Sequence, residues 1–171
     1  MILLFRVIKP ILYKGIFMNK TDILMQLRAA KTAHINWVQR AKLLISGFDV
    51  KEDSIPVNST ECKFGKWFYS DGQLLSTIRN NPVECMVEIE NLHFKLHDIY
   101  LNIFEIYYKT DKKGFFSKLF SGKKKVNDTD KELAQQYFIE MENVSKELIE
   151  NINRLERRII AIGDSEIDDL V

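Results

Sequence analysis

At 171 residues the chain has the length of one domain, or of a small domain with an appendage, and two domains of ordinary size are excluded. Apolar residues at 46% and charged residues at 29% supply a core, while 25 Lys+Arg against 24 Asp+Glu leave a net charge of +1. That balance gives no overall field for a polyanion, so no nucleic-acid partner is expected. Three Pro and seven Gly fit long helices with few turns, hence an all-α class. Cys62 and Cys85 make no disulfide framework and no secretory signal is visible, so a reducing, cytoplasmic location is expected.

Residues 1–17 are apolar, carry Arg6, Lys9 and Lys14, and are broken by Pro10, which makes them too short for a spanning helix. Met18 opens a second plausible start. The segment is expected to be an extension outside the domain or an over-extended reading frame, with a weak basic membrane anchor as the alternative. The domain proper is then 18–162. Its first helix starts at a cap, Asn19 or Thr21, and its apolar stripe runs Ile23, Leu27, Ala30, His34, Trp37, Ala41 and Leu44, ending at Gly47. The alternating steps of four and three make a heptad seam whose middle knob is a histidine.

A polar, acidic connection containing Pro56 follows, and then a short helix capped by Ser59 or Thr60 and carrying Cys62, Phe64, Trp67 and Phe68. That helix is expected to stop at Asp71 and Gly72. Pro82 suits the first turn of the next long helix, whose stripe Met86, Ile89, His93, Leu96, Tyr100, Ile103 and Tyr107 again centres on a histidine. Between 109 and 130 seven lysines surround an apolar GFFSKLF, which reads as a solvated loop or, less simply, as a contact for an anionic membrane or an acidic partner. The last helix, from about 130 to 162, carries Leu133, Tyr137, Met141, Val144, Leu148, Ile152, Leu155, Ile159 and Ile162. Residues 163–171 read as a frayed acidic tail. Three long helices and one short Cys-bearing helix make an antiparallel four-helix-type bundle.

Two of the chain's three histidines, His34 and His93, occupy knobs of otherwise apolar seams, and His97 lies one turn beyond His93. Side chains four apart on a helix project from one face about 5–6 Å apart, which suits two imidazoles converging on one metal ion. Cys62 supplies a fourth donor, and three imidazoles with one thiolate complete a tetrahedral zinc shell, one Zn2+ per chain, with a net charge of +1. Trp37 and Trp67 read as aromatics that keep water off the site, and Gly65 as a point where another backbone approaches closely. Glu90 and Asp98 flank the histidine pair, either orienting an imidazole or simply solvated. Cys85 reads as a buried small hydrophobe, with a resolving thiol for Cys62 as the lesser reading.

Together, H-x-x-W at His34 and Trp37, C-K-F-G-K-W-F-Y at 62–69 and H-x-x-x-H at His93 and His97 closely resemble the chemoreceptor zinc-binding (CZB) domain. The resemblance extends into the last helix, where Ser145 sits in E-N-V-S-K-E-L-I-E-N-I. It implies a cytoplasmic bacterial regulatory domain, often homodimeric, that holds one zinc through three histidines and one cysteine. Family members are attached to chemoreceptors or diguanylate cyclases, and they report zinc or oxidation of the zinc-bound cysteine, here Cys62. This chain is expected to act as a stand-alone member that is not an enzyme, signalling through a chemoreceptor or signalling-enzyme partner. Phe138, Ile149 and Ile160 exceed what one seam needs, which also favours a homodimer. A metal-free scaffold is the alternative, and a hemerythrin-like iron protein a weaker one, since that would need more histidines and bridging carboxylates.

Overall fold

The computed structural model describes residues 19–52, 56–78, 83–108 and 126–168. The 1–17 extension, Pro82 and the 109–125 lysine-rich stretch lie outside the described residues. Among the described residues there are helices and no strands: α1 (Lys20–Ile45), α2 (Lys63–Phe68), a 3-10 helix (Asp71–Thr77), α3 (Val83–Tyr108), α4 (Asp128–Ala161) and α5 (Asp164–Asp168). The all-α bundle read from the sequence is what the described residues form.

Asn19 caps α1, its side chain accepting from the Asp22 N–H at 2.9 Å, and Asn127 caps α4 the same way through Asp130 at 2.8 Å. Gly47 ends α1 at φ +92°, a left-handed conformation that glycine takes without the penalty of a Cβ. All seven stripe residues of α1 and all seven of α3 are buried, so the two heptad seams are the core. Each fully buried Leu or Ile contributes about 1.5–3 kcal/mol. Leu27, Leu44, Ile89, Leu96 and Ile103, none of them accessible to solvent, therefore brace the histidine layer from both sides.

α1 and α3 run parallel. Residue 34 faces 93, Trp37 meets Tyr100, and the Tyr107 hydroxyl donates to the Ile45 carbonyl. α4 runs antiparallel to α1, since Arg28 pairs with Glu156 and the Lys20 ammonium donates to the Ile162 carbonyl. With α2 on the return path between α1 and α3, this is the up-down-up-down course of an antiparallel four-helix-type bundle. Because α3 starts again at the end where α1 started, the connection must return along about 36 Å of bundle, the rise of 24 helical residues. α2 lies on that return path, where it packs against α1.

Three expectations change. Leu133 is 40% exposed and Tyr137 only half-buried, while Ala134 and Phe138 are buried in their place, so the α4 stripe starts one position later than read. Phe138 therefore belongs to the core and is not left over for a partner. The segment after Gly163 is not a frayed tail throughout, since α5 buries Ile167 and Asp164 pairs with Lys20 at 3.2 Å. Finally, α2 stops at Phe68, shortly before the stop expected at Asp71 and Gly72, and a separate 3-10 helix with Leu75 buried begins at Asp71.

Candidate metal centre

At mid-height the two seams present His34 from α1 and His93 and His97 from α3, all three buried. Their rings stack edge to face, with centroids 5.2 Å apart for His34 and His93 and 4.7 Å for His93 and His97. Imidazoles this close are tolerated because they are neutral. Burial lowers His34 and His97 from 6.5 to about 4, against the pull of their carbonyl partners, and lowers His93 to about 2, helped by the two neighbouring rings.

Cys62 is delivered by the return connection, and it is itself the N-cap of α2, in place of the Ser59 or Thr60 expected from cap preferences. The Gly65 N–H donates to Sγ at 3.1 Å, and Sγ lies 3.3 Å from His93 Nε2 and 3.3 Å from the Ser59 carbonyl, to which the thiol donates. Burial raises the Cys62 pKa, partly offset by the Gly65 and Phe64 N–H groups and by Lys66. Without a metal the cysteine is a thiol; a bound cation would have to displace its proton.

One donor atom from each of His34, Cys62, His93 and His97 lies within 4.8 Å of every other. A tetrahedron of nitrogen and sulfur around zinc has edges of about 3.3–3.6 Å, so closure asks for side-chain movements of about an ångström. The imidazoles are also oriented for it. His34 Nδ1–H donates to the Ala30 carbonyl at 2.7 Å, and His97 Nδ1–H to the Val57 carbonyl at 2.8 Å. Both bonds leave the Nε2 lone pair free, and His97 Nε2 is buried without a hydrogen-bond partner. An orphaned, inward-facing acceptor beside a thiol and two more imidazoles fits a soft-to-borderline cation, and no carboxylate belongs to the cluster.

The surrounding residues divide differently from the sequence reading. Trp37 lies against His97, ring centroids 4.3 Å apart, and within 5.9 Å of His34. Trp67 is half-buried and packs on Phe64 and over Gly72, one layer away from the imidazoles. Phe64 takes the lining position, edge-on to His34 at 5.5 Å and to His93 at 5.1 Å. Gly65 is where backbones meet, since a Cβ there would overlap the Ser59 carbonyl oxygen. His34 and His97 are oriented by the Ala30 and Val57 carbonyls rather than by Glu90 or Asp98, while His93 Nδ1 is buried without a hydrogen-bond partner. Glu90 instead faces Tyr69, whose hydroxyl is pushed up to about 12 by burial and by that carboxylate, and Asp98 is exposed. Cys85 is fully buried outside the cluster, as a small hydrophobe would be.

Sequence reasoning missed two features. The Val57 carbonyl has no side-chain signal. The nearly buried Glu156 of α4 pairs with Arg28 at 2.6 Å and with Lys31, locking α4 to α1 close to the histidine layer. A cavity of about 360 Å3 reaches the donors from outside, lined by His34, Cys62 and His97 with Arg40 and Lys63 at its edge.

Residues 34–103 match the family model of the chemoreceptor zinc-binding domain, which supports placing this segment in that family. The match spans all four clustered residues. No curated protein and no solved structure matches the chain.

Proposed function

Taking residues 34–103 as a chemoreceptor zinc-binding domain, we propose that the chain is a regulatory module holding one zinc ion through His34, Cys62, His93 and His97. The convergence of these four donors, with two imidazoles pinned by backbone carbonyls, carries the reading. Three nitrogens and one thiolate favour zinc over iron, and among the described residues no carboxylate joins the four donors as a hemerythrin-like centre would need. Four protein donors leave no open position for a water nucleophile, which favours regulation over hydrolysis.

Zinc, when bound, supplies the fixed positive charge that keeps Cys62 deprotonated. The chain's own residues do the rest. Gly65 N–H steadies the sulfur, Phe64 and Trp37 exclude water, and the 56–62 loop becomes tied to both α1 and α3. The signal is zinc itself or a two-electron oxidant entering through the cavity beside Lys63. A peroxide would transfer one oxygen to the thiolate, leaving sulfenic acid and hydroxide. The readout is contact with a partner, a chemoreceptor or signalling enzyme, from a reducing compartment. Homodimerisation through α4 is part of the proposal, since Ile139 and Ile160 are each 51% exposed and Ile149 is half-buried. No described helix is long and apolar enough to cross a membrane.

The redox half is tested by treating wild type and Cys62→Ser with substoichiometric peroxide, following zinc release with a chromophoric chelator. Counted per zinc initially bound, greater release from wild type supports an oxidant signal, and equal fractional release from both leaves zinc as the signal.

A further inference from the structure

An open groove of about 940 Å3 lies between Glu52 and residues 56–61 on one side and the outer face of α3 on the other. Its floor is apolar: Phe94 is 39% and Leu101 38% exposed, with Phe104 beside them. Phe94 and Leu101 are one heptad apart, and Val87, one heptad earlier, is 51% exposed. The seven-residue spacing keeps these three side chains on one face of α3, a face on which no long helix packs among the described residues. The rim is acidic. Glu52, Glu61 and Asp98 line it, all three are exposed, none pairs with a described Lys or Arg, and among the described residues no Lys or Arg lines the groove. In a chain of net charge +1, this one-sided rim defines a complementary ligand: apolar along one face, positive along its edges.

We propose that this groove is the docking site for a basic amphipathic helix of a partner protein, and that the connection bearing Cys62 makes docking sensitive to the metal centre. The docking half stands on the groove alone; the coupling half rests on the zinc reading. The coupling has a short physical route. Val57 lines the groove and accepts from His97, Ser59 lines it and accepts from Cys62, and His97 reaches both the groove and the donor cluster. A groove wall that carries one donor and orients another shifts when the donors close on a cation or release it.

The test uses the full chain and a fluorescent synthetic helix of roughly three heptads, Leu at the a and d positions and Lys at the flanking ones. A peptide of the same pattern with Glu for Lys is the control. The lysine peptide is expected to bind the zinc-loaded protein, with affinity falling about tenfold or more in Leu101→Asp and in Glu52→Lys/Asp98→Lys. The charge-matched Glu132→Lys/Glu147→Lys on the exposed side of α4 is expected to stay within about twofold. All these positions are exposed, and circular dichroism checks that the variants keep their helices. Removal of zinc with a chelator is expected to change peptide affinity at least about threefold. Equal losses in the groove and α4 variants, equal binding of both peptides, or no binding overturns the docking; no binding is also the outcome if a second copy or the chain's own 109–125 stretch fills the groove. Equal affinity with and without zinc, in protein shown to contain zinc, overturns the coupling alone.

Discussion

Gly65→Ala is the sharpest single-atom perturbation of the centre. The added methyl would overlap the Ser59 carbonyl oxygen and lie 3.0 Å from its carbon and 3.3 Å from Thr60 Cα, all of them backbone atoms that no rotamer change can move aside. α2 must therefore back away from the 58–60 turn, carrying with it the Gly65 N–H that bonds Sγ and the Phe64 ring that lines His34 and His93. Overpacking of this kind costs about 1–3 kcal/mol. The strain is smallest when α2 is released from the donors, so most of it should appear as lost metal affinity, roughly five- to a hundredfold at 1.4 kcal/mol per decade. Competition with a chromophoric zinc chelator measures the affinity, and thermal melts with and without zinc separate it from global stability. The atoms nearest the added methyl belong to Ser59 and Thr60 and not to α1 or α3, so the zinc-free melting point should change by only a few degrees. Wild-type zinc affinity in Gly65→Ala would refute the claim that the close approach of α2 to the 58–60 turn sets the position of Cys62.

Zinc loading at pH 7 should release about one proton per ion, because burial keeps the histidines neutral and Cys62 a thiol until the cation arrives; calorimetry in buffers of different ionisation enthalpy counts it. In zinc-free protein the depressed histidines contribute stability that is full above their unfolded value of about 6.5 and is lost as pH falls toward 4, so its melting point should drop between pH 7 and 5. Glu156→Gln should destabilise the fold by about 2 kcal/mol, below the 3–5 expected of a fully buried pair because Arg28 is 59% exposed. Denaturant melts check the value. Sedimentation should show a homodimer that Ile160→Lys converts to monomer, since Ile160 is half-exposed on α4.

The histidine layer was legible because a knob position in a heptad seam fixes both burial and direction, so His34 and His93 announced their meeting from spacing alone. α4 was less legible at its start, where Leu133 outranks Ala134 in hydrophobicity yet sits on the exposed side. A cysteine is not among the usual capping residues, so the cap of α2 was assigned to Ser59 or Thr60. Where the return connection packs against the long helices is not encoded in local periodicity. The same holds for the Val57 carbonyl that orients His97 from 40 positions away and for Glu156, which meets Arg28 across 128 positions. Carboxylates near the histidines in sequence, Glu90 and Asp98, drew attention that belonged to carbonyls near them in space.

The most direct measurement is elemental analysis of the protein purified without chelator, run beside His93→Ala and Cys62→Ala. The account predicts one zinc per chain in wild type and a substoichiometric amount in both variants. Iron in place of zinc, no stoichiometric metal in wild type, or undiminished zinc in both variants would contradict it.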